Sequence, residues 1–200
     1  HRQRIQSGLL EEQDYYAYCA RKIRQLMKVF PAIRIVMDAQ GGGIAVSEAL
    51  HDPNNIEGGE LPFWEIIEEG VDKPTDNEVG EHIIELINFA DSKYVVNANH
   101  GLRKDFEDKA LIFPAYDSLY LEMANLEDEK AGRHYDTVED CTLEIEELKN
   151  ELSTIVHTQT QTSGRDRWDT PEIKLPGNKR GRLRKDRYSA LLMANMAART

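Results

Sequence analysis

The chain has 200 residues, 40% of them hydrophobic, and 36 acidic against 25 basic side chains give it a formal charge of −11. That length makes one domain, or one and a part, with enough apolar content for a sizeable core. The acidic balance argues against a simple nucleic-acid coat, no apolar run approaches the ~20 residues that span a bilayer, and the polar opening "HRQRIQSG" shows no signal peptide.

The chain opens without Met, which reads as a fragment or a processed product. Leu9, Tyr16, Cys19, Ile23, Leu26 and Phe30 recur at helical spacing and predict an amphipathic helix over 9–30, ended by Pro31. Ile33 to Met37 is short, β-branched and apolar, the pattern of a buried central strand. Asp38 closes it, Gly41, Gly42 and Gly43 break it, and residues 44–51 predict a short helix. Residues 52–80, rich in Pro, Gly, Asn and acids, read as an irregular excursion. "HIIELINFA" (82–90) predicts a second strand, 95–109 a helix carrying Gly101, and "ALIFP" (110–114) a third strand. Val138, Cys141, Ile145, Leu148 and Leu152 step by three and four and make 136–152 the clearest helix. The Thr-rich, alternating stretch 153–175 predicts a β-hairpin turning near Gly164. "PGNKRGRLRK" reads as a basic loop. Asp186 starts the last helix, on which Asp186, Ala190, Met193 and Ala197 share a face small enough to lie close to a sheet. Cys19 and Cys141 fall on apolar helix faces and read as reduced core thiols of an intracellular protein.

Charge is distributed unevenly. Lys174, Lys179, Arg180, Arg182, Arg184, Lys185 and Arg187, against Asp186 alone, make a +6 strip on a body of −17. Such a strip is either a phosphate-facing edge or a solvated charged loop. Asp38 stands where open α/β sheets put their sites, at the carboxyl end of a strand. An Asp before glycines is equally ordinary turn chemistry. Asp186 stands in a helix's first turn, where the helix dipole by itself favours an acid. Together the two carboxylates could share Mg²⁺ or Mn²⁺, hard ions that take oxygen ligands. Two such ions ~3.5–4 Å apart clamp a phosphodiester for cleavage, which would bring the two carboxylates within roughly 4–8 Å of each other. On that reading the glycines let backbone approach a phosphate. The strip and Trp168 then hold the strand being cut. No P-loop, zinc spacing or Gly-x-Ser-x-Gly is present, and His100 and His157 read as ordinary polar residues.

"KIRQLMKVFPAIRIVMDAQGGGIAVSEALHDP", "NHGLRKDFEDKALIFP" and "GRDRWDTPEIKLPGNKRGRLRKDRYSALLMANMAAR" resemble, in order, three segments of the nuclease domain in large terminase subunits of tailed bacteriophages. They match its second acidic motif, its middle segment, and its hairpin, basic loop and third acidic motif. The resemblance covers nearly the whole chain, 1–200. It implies an RNase H/resolvase-like α/β fold, a mixed sheet flanked by helices with an added β-hairpin. It also implies a two-metal DNA endonuclease that cuts concatemeric viral DNA. The partners implied are double-stranded DNA, the portal protein and the small terminase subunit, in the host cytoplasm at the prohead portal and without a membrane.

Asp38 maps to the family's second-strand carboxylate and Asp186 to its C-terminal-helix carboxylate. Lys179, Arg180, Arg182, Arg184, Lys185, Arg187 and Trp168 are the candidate DNA contacts, read from their charge and aromatic character. The family's first carboxylate, on an earlier strand, has no counterpart here, nor does its ATPase. The expectation is therefore a C-terminal part of a terminase whose metal site needs the upstream segment. Asp91 and Asp117 are loop acids that could stand in. Two other readings stay open, a non-catalytic module that docks DNA or the portal and a resolvase-like enzyme acting on branched DNA.

Overall fold

Six α-helices and seven short strands occur among the residues that the computed structural model describes, namely 15–67, 79–134, 137–160, 164–175 and 179–199. The class is mixed α/β. The strands form one three-stranded parallel sheet and two antiparallel hairpins, and the chain divides into two units, His1–Asp91 and Ser92–Thr200.

In the first unit, α1 (Tyr15–Val29) precedes β1 (Ile35–Asp38), and α2 (Gly42–His51) follows. A 3-10 turn at Pro53–Asn55, β2 (Phe63–Glu65) and β3 (Glu81–Ile87) complete it. The start expected for α1 at Leu9 and residues 68–78 lie outside the described residues. Both pairings are parallel, in the order β1-β3-β2, with Met37 opposite Leu86 and Asp38 opposite Ile87. The expected centre of the sheet is therefore corrected. Among the described residues β3 is the middle strand and β1 an edge, and Ile33 lies before the strand, 94% exposed. β2 adds a strand inside the expected excursion, short because Pro62 precedes it and its register shifts after Trp64.

Ala20, Met37, Ala49, Leu50, Phe63 and Ile84 form the core of this unit. Leu50 and Ile84 are wholly buried, each contributing about 1.5–3 kcal/mol through loss of water-exposed apolar surface. The inward face of α1 differs from the expected one. Tyr16, Leu26 and Phe30 are exposed, and Ala20 and Arg24 are buried with Ile23 and Met27 packed beside the core. Arg24 occupies an aliphatic-looking position because backbone carbonyls accept from both of its terminal nitrogens. It donates to Leu50 O at 2.5 Å and Leu61 O at 2.9 Å and lies over the Phe63 ring at 4.5 Å. Glu60 gathers the cations of α1, Arg21 at 2.6 Å, Lys28 at 3.1 Å and Arg24 at 3.8 Å, and so straps the segment before β2 onto the helix.

The second unit contains α3 (Ser92–Glu107), α4 (Ser118–Lys130), α5 (Val138–Thr154) and α6 (Asp186–Arg199). Its hairpins pair β4 (Val156–Gln159) with β5 (Asp166–Asp169), and β6 (Glu172–Leu175) with β7 (Lys179–Arg182). The first hairpin is shorter than the expected 153–175, because 153–154 finish α5 and 172–175 pair with β7, and Gly164, at a φ of 61°, lies beside the turn as expected; residues 161–163 lie outside the described residues. The strand expected at 110–114 is absent, since these residues are irregular and Ile112 is 80% exposed. Helix α4 adds to the expected elements, and its apolar residues at helical spacing lie on its exposed face rather than its buried one.

α6 packs against α3 and α5 rather than against a sheet. Its seam is Tyr188, Leu192, Asn195 and Arg199, two residues away from the expected small-residue face, of which Asp186 and Ala190 are exposed. Tyr188 hydrogen-bonds Asn99, Asn195 donates to Asp105 at 2.9 Å, and Arg199 pairs with Asp105 and donates to Gly101 O at 3.2 Å. A side chain at Gly101 would meet Arg199 at about 3.0 Å, so a glycine inside α3 makes room for the α6 arginine. Cys141 on α5 is exposed and Cys19 half-buried, which corrects the reading of both as core thiols; both are free.

Candidate functional site

Asp38 is the last residue of β1, half-buried at the carboxyl edge of the parallel sheet. Its Oδ1 accepts from Gln40 N at 2.9 Å, so the ordinary turn chemistry expected of Asp before glycines is present. The turn is tied to β3 as well. Ala39 N donates to Ile87 O at 2.7 Å, and the Gln40 amide to Asn88 Oδ1 at 2.9 Å. Asn88 in turn accepts from Ala90 N at 2.8 Å. Asp38 and Asn88 thus terminate neighbouring parallel strands with matching side-chain turns, the edge at which such sheets bind ligands. Sequence reading missed Asn88, although its place after an apolar strand is the same signal that marked Asp38.

The glycines here act on the protein's own backbone. Gly41 has a φ of 73°, which an L side chain rarely adopts. A Cβ on Gly43 would sit 1.9 Å from the Asp38 carbonyl oxygen, so that glycine is required for α2 to start directly over the end of β1. At Gly42 the nearest group is the Tyr16 ring, 3.3 Å from a built Cβ.

In the second unit Asp186 opens α6. It is exposed, and among the described residues its carboxylate takes neither a hydrogen bond nor an ion pair. The cap of this helix comes from elsewhere. Glu151 of α5 accepts from Tyr188 N at 2.9 Å and pairs with Arg187 at 3.0 Å, and Glu144 pairs with Arg187 at 2.5 Å. These two carboxylates, Glu144 first, push the Arg187 guanidinium above its ordinary range against the opposing effect of burial. Asp117, one of the acids that could stand in as a ligand, caps α4 by accepting from Leu119 N at 3.0 Å and Tyr120 N at 3.1 Å.

The basic strip is a hairpin rather than a loop, and much of its charge is paired internally. Residues 176–178 and the Lys179 side chain lie outside the described residues. Asp169, only 14% exposed, receives Arg167 at 2.6 Å, Arg182 at 3.2 Å and Lys185 at 3.3 Å. Burial pushes the Asp169 carboxyl up, and the Arg167 hydrogen bond and Lys185 charge outweigh it, leaving the group below its usual range. Arg182 also donates to Thr170 O at 2.6 Å and Lys185 to Trp168 O at 3.0 Å. The residues that remain turned outward are Arg180, 85% exposed with Glu172 at 3.6 Å, and Lys174 and Arg184, both exposed with no ion pair among the described residues.

Trp168 is half-buried between two histidines, stacked on His157 at 4.5 Å with the His100 ring edge-on at 5.7 Å. His157 Nε2 lies 2.7 Å from Asp166 Oδ1, and this hydrogen bond is the main cause of a carboxyl held below its usual range. His157 therefore has a partner that its sequence did not announce. Cross-strand register, His157 opposite Trp168 and Gln159 opposite Asp166, creates the cluster.

Asp38 and Asp186 belong to different units. Among the described residues no group of three or more His, Cys, Asp or Glu side chains gathers at metal-holding geometry. No described helix is long and apolar enough to cross a membrane. Comparison with protein-family models, with curated proteins and with solved structures finds no match.

Proposed function

We propose that the chain is the nuclease part of a phage DNA-packaging terminase, RNase H-like in fold, in which Asp38 and Asp186 are ligands for Mg²⁺ or Mn²⁺. The observation that carries the proposal is Asp38 itself, a half-buried carboxylate at the carboxyl edge of a parallel sheet, beside a turn that glycine alone permits. One of its oxygens holds Gln40 N. Asp186 supports the reading because its carboxylate is exposed and unengaged. Carboxylate oxygens suit these hard cations, but two acids are few for two ions. The first strand that the resemblance places upstream, with its own carboxylate, suits the edge that β1 presents among the described residues. When bound, the ions would polarise the phosphodiester and lower the pKa of an attacking water. Arg180 and Arg184 face outward and are the proposed phosphate contacts, without base reading.

A second reading, a non-catalytic DNA- or portal-docking module, is favoured by the absence of a three-acid cluster among the described residues. Plasmid nicking with and without EDTA separates the two. The 200-residue chain is expected to cut poorly, and a chain extended upstream to cut with Mg²⁺ or Mn²⁺. In that longer chain Asp38→Asn and Asp186→Asn should each abolish cutting and leave DNA retention intact. A longer chain that retains DNA and never nicks it would select the docking module. EDTA-sensitive nicking by the 200-residue chain would make Asp38 the first carboxylate of a complete site.

A further inference from the structure

Helix α4 has two faces of different character. Its inner face, Ala124 and Asp128, is buried against α5, where Asp128 accepts from Val138 N at 3.0 Å and pairs with Arg133 at 2.8 Å. The outer face carries Leu119, Met123 and Leu126 at i, i+4 and i+7, exposed by 66%, 58% and 52%. Tyr120 adjoins them at 63%. Spacing of this kind makes a continuous apolar stripe about two helical turns long. Large apolar side chains normally reach the surface singly, whereas a contiguous stripe rimmed by charge marks an interaction surface.

The flanks of the stripe are acidic, and Lys130 closes its C-terminal end. Glu122, Glu127 and Glu129 flank the stripe, exposed and without an ion pair among the described residues. Helices α4 and α5 together carry ten acids against two lysines, a net of −8. Like charge on both partners would oppose pairing of two copies through this stripe, because the same acids would face one another. An anionic lipid surface would be repelled in the same way. Opposite charge on the partner removes both penalties.

We infer that the outer face of α4 is a docking surface for an amphipathic helix of a partner protein, with aliphatic residues set into the stripe and Lys or Arg along both flanks. This is the helix-in-groove mode of recognition, in which apolar anchors supply affinity and the charged rim supplies orientation. It is independent of the nuclease reading, since neither Asp38 nor the basic hairpin takes part.

Anisotropy of a fluorescein-labelled synthetic helix of about five turns, with leucine at i, i+3, i+4 and i+7 and lysine elsewhere, tests it on the whole chain. Saturable binding is expected. The combined Leu119→Ser, Met123→Ser and Leu126→Ser change should weaken it by about tenfold or more. Glu122→Gln with Glu127→Gln and Glu129→Gln should weaken it less and flatten its salt dependence. These positions are exposed, so unchanged circular dichroism is expected in both variants. No binding, or binding that the serine variant keeps in full, would overturn the inference. Concentration-dependent dimerisation lost in the serine variant would make the occupant a second copy and overturn it as well.

Discussion

Glu60 allows the physical account of the first unit to be tested quantitatively. Its carboxylate is 14% exposed and meets Arg21, Lys28 and Arg24. The Arg21 hydrogen bond is the largest cause of a pKa lowered from 4.5 to about 2, with burial opposing it and Lys28 assisting. At about 1.36 kcal/mol per pH unit, that difference corresponds to about 3 kcal/mol of stability at neutral pH. Lys28 is 59% and Arg21 22% exposed, so solvent screening brings the expected value nearer to about 2 kcal/mol. Glu60→Gln keeps the shape and removes the charge. The sign follows from a folded-state pKa below the unfolded one. The stabilisation is present above pH 4.5 and lost as the pH falls toward 2. Urea unfolding followed by Trp64 fluorescence, in a Trp168→Phe background, should give a gap of about 2 kcal/mol between parent and variant at pH 7. The gap should narrow by more than half at pH 3. A gap equal at both pH values would refute the electrostatic account and leave only packing. No gap at pH 7 would show that backbone carbonyls alone hold Arg24.

Gly43→Ala should destabilise the first unit by about 3 kcal/mol in the same assay, because the added methyl collides with the Asp38 carbonyl. Gly58→Ala, which meets nothing within 4 Å, should change little. Arg187→Met should cost about 3 kcal/mol in thermal unfolding by leaving Glu151, 8% exposed, without its cation. Arg184→Met should leave stability within about 0.5 kcal/mol and instead reduce DNA retention and its salt slope, a loss that Arg187→Met should not reproduce on the folded protein.

Legibility in the sequence followed the reach of the interaction. Strand β1, the glycine turn, helix α2 and the start of α6 at Asp186 depend on neighbours in the chain, and local patterning located them. Leu26 and Phe30 were assigned inward because periodicity cannot see that Arg24, held by the distant carbonyls of Leu50 and Leu61, takes the core position. The ALIFP segment has strand composition but no strand beside it, and composition does not provide a partner. The basic strip was legible as charge. Its pairing with Asp169 was not, because that pairing depends on the register of β6 with β7 and on the turn after β5. His157 shows the same limit, being ordinary in sequence and the centre of a stacked, hydrogen-bonded cluster once β4 meets β5.

The cap on α6 separates folding from chemistry at Asp186. The open N–H of Tyr188 is satisfied by Glu151, 37 positions earlier in the chain, and Arg187 anchors the same carboxylate. The residue that starts the helix therefore acts on it only through the helix dipole, with no hydrogen bond or ion pair among the described residues. Exchange of Asp186 for asparagine or alanine is expected to leave the seam through Tyr188 and Leu192 closed, whereas lysine would oppose the helix dipole. Asp38 lacks that independence, since one of its oxygens fixes the turn that follows it. Variation among related chains would thus be tolerated at Asp186 by the fold alone, so that any constancy there would report selection on what the carboxylate does.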